Sequence, residues 1–532
     1  MNVELIVGWP DGSDLARDYL EGSDRATPYY GASWRDPSAY RAKLDDLDAR
    51  FDADARRTAL SAMNVPDGVS KERLDSWVEK RGLVVTTGQQ PGLLGGPLYS
   101  LYKALTTMSL ARALEAELGR PVLPLFWVAS DDHDWAEADH TYAIDSANEL
   151  RLVQVADPGA KNRPIHRVEF SGELDNALSE FLQILPSTDF SDDYIKLLRH
   201  AHDSSATLSS SFQQVMEGLL GPQGLFFTDA ANPVVKDRSS AVLLAEVDAG
   251  ESEALLRGTA ESLEADGYHV QVHIMEGGVN LFLEGPGGRE RLYRDGDGFH
   301  LHNSGARLTR EDILARIQED PSVLSPNVLL RPIVESEVFP VVSYVAGPGE
   351  IAYYAQIRGL YESHGMKMPV IHPRHGVTAV EPKIRKVMDK FDVGLETLGR
   401  PYHEVASEIA KDEVPAGVRT ALGEFRGAVG EQSSKLLEAA LAIDPTLKGP
   451  VTHARNTSFA AIQEAEKKIV QSVKRQNEIA LGQLEKAQLH LFPKGKPQER
   501  VLNPFYYLFR FGNPFMAALV DALKVDLPSG SK

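Results

Sequence analysis

Two short runs rich in β-branched and aromatic residues, 83–87 (LVVTT) and 122–130 (VLPLFWVAS), flank a glycine- and proline-rich loop and an apolar helical pattern. Apolar runs that lack polar alternation belong to strands covered on both faces, as in a parallel sheet. A strand, helix, strand order then makes the two runs parallel neighbours through a right-handed crossover. Residues 225–229 (LFFTD), 338–346 (VFPVVSYVA) and 368–372 supply three further runs. The expected class is therefore α/β, with a parallel sheet at its centre.

The loop after the first run reads TGQQPGLLGGPLYSLYKAL and holds four glycines and two prolines. Pro97 suits the first position of a helix, and Gly95 and Gly96 let backbone approach a ligand at a helix amino terminus. Leu98, Leu101, Leu105 and Met108 form one apolar stripe, which turns Tyr99, Lys103 and Thr107 to the other side. Neither GxxxxGK[ST] nor GxGxxG is present. A phosphate cradle and a tight turn without a ligand both remain open. Gln89 and Gln90 sit at the carboxyl end of the strand, the rim where open α/β sheets bind ligands.

On the same rim, ASDDHDWAEADH (129–140) follows the second run. A helix beginning near Asp131 would put His133, Glu137 and His140 on one face, a spacing that can hold a metal. Asp131, Asp132 and Asp134 equally suit helix caps. A third reading is substrate contact, with His133 as general acid or base between carboxylates. A second glycine loop, VAGPGEIAYYAQIRGL, places Gly347, Gly349, Glu350, Tyr353 and Tyr354 at another helix entry, where the tyrosines serve packing or binding. Arg331 precedes a proline, so it is expected to be extended. There it either clamps a carboxylate or phosphate or lies in a surface loop.

At 532 residues the chain exceeds one compact core. Residues 1–385 are expected to form the α/β core, interrupted by insertions near 151–220, mostly helical, and 268–320, antiparallel hairpins with turns at Gly277-Gly278 and Gly296-Asp297. Stripes at helical spacing, Leu422, Phe425, Val429, Leu436, Ala440, Ile443 and then Phe459, Ile462, Ile469, Val473, Ala480, Leu484, predict an antiparallel α-helical coiled coil over 386–495. Such stripes serve core packing or oligomer contact. Residues 496–532 return to the core and end in a disordered tail.

A net charge of −20 disfavours a nucleic-acid binder, which needs a basic face. No window approaches the ~20 apolar residues that span a bilayer, so a cytoplasmic protein is expected. With no cysteine in the chain, disulfides, thiolate metal sites and a cysteine nucleophile are excluded.

TGQQPGLLGGPLYSLYKAL, PLFWVASDDHDWAEADH, NVLLRPIVES and AGPGEIAYYAQIRGLYESHGMKMPVIHPR together resemble, in order and spacing, the bacillithiol biosynthesis cysteine-adding enzymes, the BshC family. QERVLNPFYYL and the helical hairpin resemble that family's carboxyl region. Small departures are PGLLGG, Asp131 for glutamate and Trp135 for phenylalanine. The resemblance implies a Rossmann-like core with two inserted subdomains, related to class I nucleotidyltransferases and aminoacyl-tRNA synthetases, and a coiled coil used for homodimerisation. GGPLY then stands at the place of the synthetases' HIGH signature, and Lys367 is the candidate for their lysine signature.

The implied activity is a ligase joining cysteine to glucosaminyl-malate through an amide bond, with ATP and Mg²⁺ activating the carboxyl group. On that reading His133, Asp132, Asp134 and Lys103 are catalytic. Gln89, Gln90, Gly95, Gly96, Pro97, Tyr99, Arg331, Gly347, Gly349, Glu350 and Tyr353 bind substrate or nucleotide, and no residue holds a resident metal. The rival readings are a metal-dependent hydrolase using His133, Glu137 and His140, and a non-catalytic coiled-coil scaffold.

Overall fold

The computed structural model describes residues 3–156, 159, 162–170, 172–202 and 207–527. Of the tail 527–532, expected to be disordered, residues 528–532 lie outside the described residues. Two compact units are present: Leu5–Thr378 with the segment from Glu499 onward, and Ala379–Gln498. Among the described residues no helix is long and apolar enough to cross a membrane.

The first unit is built on a five-stranded parallel sheet of β1 (Leu83–Gln89), β2 (Val122–Val128), β3 (Phe226–Asp229), β4 (Val341–Ala346) and β5 (Val370–Pro373). Its spatial order is β5-β4-β1-β2-β3, and every pairing is parallel. Strand order therefore reverses between β1 and β4, the point at which a doubly wound sheet opens a crevice at its carboxyl rim. Successive side chains enter opposite cores: Val84, Leu123, Leu125, Trp127 and Val341 on one face, Leu83, Val85, Val122, Val342 and Val345 on the other. The missing polar alternation follows from that two-sided burial.

Helix α1 (Leu98–Leu118) crosses from β1 to β2. Apart from the half-buried Tyr99, its first turns are buried, Lys103 and Thr107 included, so it has no solvent-facing polar side opposite the leucine stripe. Between β2 and β3 lie an antiparallel hairpin, His140–Ile144 with Leu150–Gln154, and three helices ending at Leu220. The hairpin is an addition to the helical segment expected there. Its turn is fixed by Asp145, whose carboxylate accepts from the amides of Ala147 and Glu149.

Between β3 and β4 two helices precede a second, antiparallel sheet. Gly296-Asp297 joins two of its strands as expected, but Gly277-Gly278 stands at the start of the first strand, and the hairpin turn falls at Pro286-Gly287. The apolar run at 338–346 also divides differently. Helix α2 (Arg331–Val338) occupies its beginning, and β4 starts only at Val341. Arg331 is helical, not extended. Asn327 overrides the restriction before proline by capping this helix: its side chain accepts from the amides of Leu329 and Leu330, and its carbonyl accepts from Arg331. Pro332 falls in the first turn, where its missing amide costs nothing.

In the second unit, α3 (Ala416–Ile443) and α4 (Lys448–Gln476) form the antiparallel hairpin. Asp444 caps the connecting turn by accepting from Thr446, and Arg426 reaches Glu466 at 3.0 Å across the pair. Ala440, Ile462 and Val473 are buried in this unit, whereas Phe425 is 58% exposed and Leu436 56% exposed. The apolar pattern is thus only partly consumed within one chain.

Candidate active site

A cleft of about 600 Å³ opens at the carboxyl rim where strand order reverses. Gln89, Gln90, Tyr99, Lys103, Asp132, His133, Arg331, Gly347, Gly349, Glu350 and Tyr353 all line it. Three loops therefore converge from β1, β2 and β4, as their places at strand ends require.

Lys103 crosses the reversal point. Its ammonium donates to the Gly88 carbonyl, lies 3.5 Å from Gln89 Oε1 and pairs with Glu350 at 2.8 Å. Glu350 also accepts from the Gly347 amide at 2.7 Å and from the Tyr344 hydroxyl at 2.6 Å. Burial pushes the Glu350 carboxyl up, but Lys103 and these donors outweigh it and hold the group below its ordinary range. Arg331 continues the network, reaching Glu335 at 3.0 Å, Tyr353 at 3.2 Å and Tyr344 at 3.3 Å. This guanidinium is committed to the protein. It is neither a surface arginine nor an open carboxylate clamp.

A second network fixes His133. Gln90 donates to Asp132 Oδ2, and the His133 amide donates to Asp132 Oδ1 at 2.7 Å. Burial would raise the Asp132 pKa, but the His133 side chain, the nearby Arg289 charge and these bonds hold it well below the usual carboxylate range. Arg289, from the antiparallel sheet, donates to Ser325 Oγ at 2.8 Å and the Pro326 carbonyl at 3.0 Å, and its guanidinium lies 3.0 Å from His133 Nδ1. Nδ1 also lies 3.3 Å from Asp132 Oδ1, so this nitrogen faces both a guanidinium and a carboxylate. The His133 ring is thereby held in place between Arg289 and Asp132.

Several expected residues lie elsewhere. Helix forms only over Trp135–Ala138, and Asp134, at its cap position, makes no capping bond and does not line the cleft. His140 belongs to the hairpin and pairs with Asp139 at 2.8 Å. His133, Glu137 and His140 consequently share no helical face, and no group of three such side chains able to hold a metal occurs among the described residues. Lys367 precedes β5, on the opposite rim of the sheet, and reaches the Ala42 carbonyl.

Gly95, Gly96 and Pro97 of the first glycine loop are also outside the cleft. Gly95 and Gly96 are buried against Val215, Phe212 and Phe505, and Pro97 is the cap before α1, not its first residue. The Asn503 side chain donates to the carbonyls of Leu94 and Gly96, while the Leu98 amide donates to the Leu502 carbonyl. Glycine is needed for packing: Gly95 has φ +86°, and an added Cβ would stand 2.9 Å from Val215 Cγ1. Gly95→Ala is expected to lower stability by about 1–3 kcal/mol in denaturant titration while leaving ligand affinity unchanged.

Sequence reading missed Arg289, Arg291, Phe282, Tyr344, Arg374 and Arg500, all of which line the cleft. Alternation along GRERLYRD was the available signal, since residues two apart on a strand share a face. Arg289 and Arg291 do so, with guanidinium carbons 4.0 and 5.5 Å from the Phe282 ring centre.

The family model for the N-terminal Rossmann-like domain of bacillithiol biosynthesis BshC matches residues 1–375. The chain belongs to the BshC family. The BshC C-terminal coiled-coil model matches residues 377–526. A BshC relative from Chlorobaculum tepidum is 32% identical over 540 residues, covering 96% of this chain and 95% of its own. One from Prosthecochloris aestuarii is 31% identical over 547 residues, covering 98% and 95%. One from Salinibacter ruber is 29% identical over 521 residues, covering 96% and 94%. All three carry the name "Putative cysteine ligase BshC". Every cleft residue except Arg500 falls within the Rossmann-like match.

Proposed function

We propose that this BshC protein is a cytoplasmic ligase that joins the carboxyl group of cysteine to the amine of glucosaminyl-malate, forming the amide bond of bacillithiol. The observation that carries this reading is the near full-length match to relatives named as cysteine ligases. It is supported by a cleft lined by several charged side chains, at the sheet's ligand-binding rim, of a size suited to small metabolites.

Condensing a carboxylate with an amine in water runs uphill, so an activating reagent is required. ATP with Mg²⁺ would supply it by converting the carboxylate into a better acyl donor. The buried Gly95–Gly96 loop does not fit a phosphate cradle, and no step is assigned through the nucleotide. The chain's own residues have definable parts. His133, oriented by Arg289 and Asp132, donates from Nε2 to the oxygen that gains charge when the amine attacks. Glu137 accepts the amine proton at the rim. Partial burial and the charges of Asp134 and Asp132 raise its pKa, which makes it the better base. Lys103, Glu350, Tyr344 and Arg331 hold the opposite wall rigid.

A thermal-shift series with cysteine, glucosaminyl-malate and ATP tests the assignment, because a ligand that binds the native state raises apparent stability. Each reactant is expected to raise the Tm, and no response to any of them would overturn the reading.

Homodimerisation through α3 and α4 belongs to the same proposal, supported by the exposed Phe425 and Leu436. Phe425→Glu with Leu436→Glu is expected to halve the mass measured by light scattering without loss of helicity. A wild-type mass of one chain would contradict it.

A further inference from the structure

We propose that Arg291 and Arg500 form a receptor for two carboxylates of one small acidic ligand. Most cations of the cleft are already neutralised. Lys103 is paired with Glu350, Arg331 with Glu335, and Arg374 binds Glu499 through both nitrogens at 2.6 and 3.1 Å. Arg289 is shared among Asp132, His133, Ser325 and Pro326. Arg291 and Arg500 differ from all of these. Both line the cleft, and among the described residues neither has a side-chain hydrogen bond or an ion pair.

Each does have an aromatic support. The Arg291 guanidinium lies 5.5 Å from the Phe282 ring centre and that of Arg500 5.9 Å from Tyr99. A ring face holds the planar group by cation–π attraction while leaving N–H donors free for a bidentate carboxylate. The two arginines come from separate walls, one from the antiparallel sheet and one from the segment after Glu499. Two unpaired forks on separate elements suit a ligand whose carboxylates sit on separate arms, and they make this cleft anion-seeking within a chain of net charge −20.

In the proposed reaction the ligand is the malyl part of the acceptor; that identity rests on the ligase reading, whereas carboxylate binding does not. It also moves the clamp from Arg331, whose donors are occupied, to residues with free donors.

The test is calorimetric titration of the full-length protein with malate, lactate and ATP, in wild type, Arg291→Gln and Arg500→Gln. Malate is expected to bind the wild type, and each substitution to weaken it at least tenfold, as loss of a charge-assisted bidentate contact does. Lactate, with one carboxylate, should bind more weakly and respond to only one of the two substitutions. Unchanged melting curves would show that both variants remain folded. Malate affinity that is equal in all three proteins, or absent from the wild type, overturns the proposal; so does a loss confined to ATP. If malate binding falls as expected while no amide product forms, the receptor stands and the ligase reading fails.

Discussion

Lys103→Ala is expected to destabilise the first unit by about 3–5 kcal/mol, the range for removing one partner of a buried ion pair. The Lys103 side chain is 3% exposed and that of Glu350 20%, so solvent can do little for the orphaned carboxylate. The lost ammonium also frees the Gly88 carbonyl at the end of β1. Glu350→Gln added to Lys103→Met should recover most of the stability, because the buried charge is then removed and the aliphatic stem kept. The pair also predicts a pH dependence. Since the folded Glu350 pKa lies below its ordinary 4.5, its contribution is present above that value and drains away as the pH falls through the lower folded one. Chemical denaturation between pH 3 and 7 measures both effects. Equal stability of Lys103→Ala and wild type at neutral pH would remove the ion pair from the account of the cleft.

His133→Ala should lower kcat about 10²–10³-fold, the usual cost of losing one preorganised donor to a developing oxyanion. KM and melting temperature should change little, since the ring makes no bond that closes a core. His133→Gln distinguishes donor from base: its amide N–H can still donate, so it should recover part of the rate. A base role predicts that glutamine is as inactive as alanine. Arg289→Lys is expected to behave like His133→Ala in kcat, because an ammonium cannot hold Ser325, Pro326 and Nδ1 in one planar arrangement.

Much of the fold was legible because its strands are buried on both faces and its helices follow glycine and proline. Runs such as LVVTT leave few alternatives, and residues at carboxyl strand ends, Gln89, Asp132 and Gly347, meet at one rim by topology alone. What the sequence concealed were interactions between distant segments. Gly95 and Gly96 carry every local mark of a ligand loop, yet Asn503, Val215 and Phe505 pack there from elsewhere in the chain. Arg331 was displaced from its expected extended state by a cap from Asn327. Arg289 lies in what reads as a peripheral hairpin, and only the docking of that sheet against the DDHD loop brings its guanidinium to His133. The coiled-coil stripe was visible, but its surplus of apolar residues over buried ones was not.

Purified protein incubated with cysteine, glucosaminyl-malate, ATP and Mg²⁺, followed by mass spectrometry, tests the ligase assignment most directly. A product with the combined mass of the two substrates less one water, formed only when ATP is included, is the predicted result. Unchanged substrates in the presence of folded protein that binds both would contradict it.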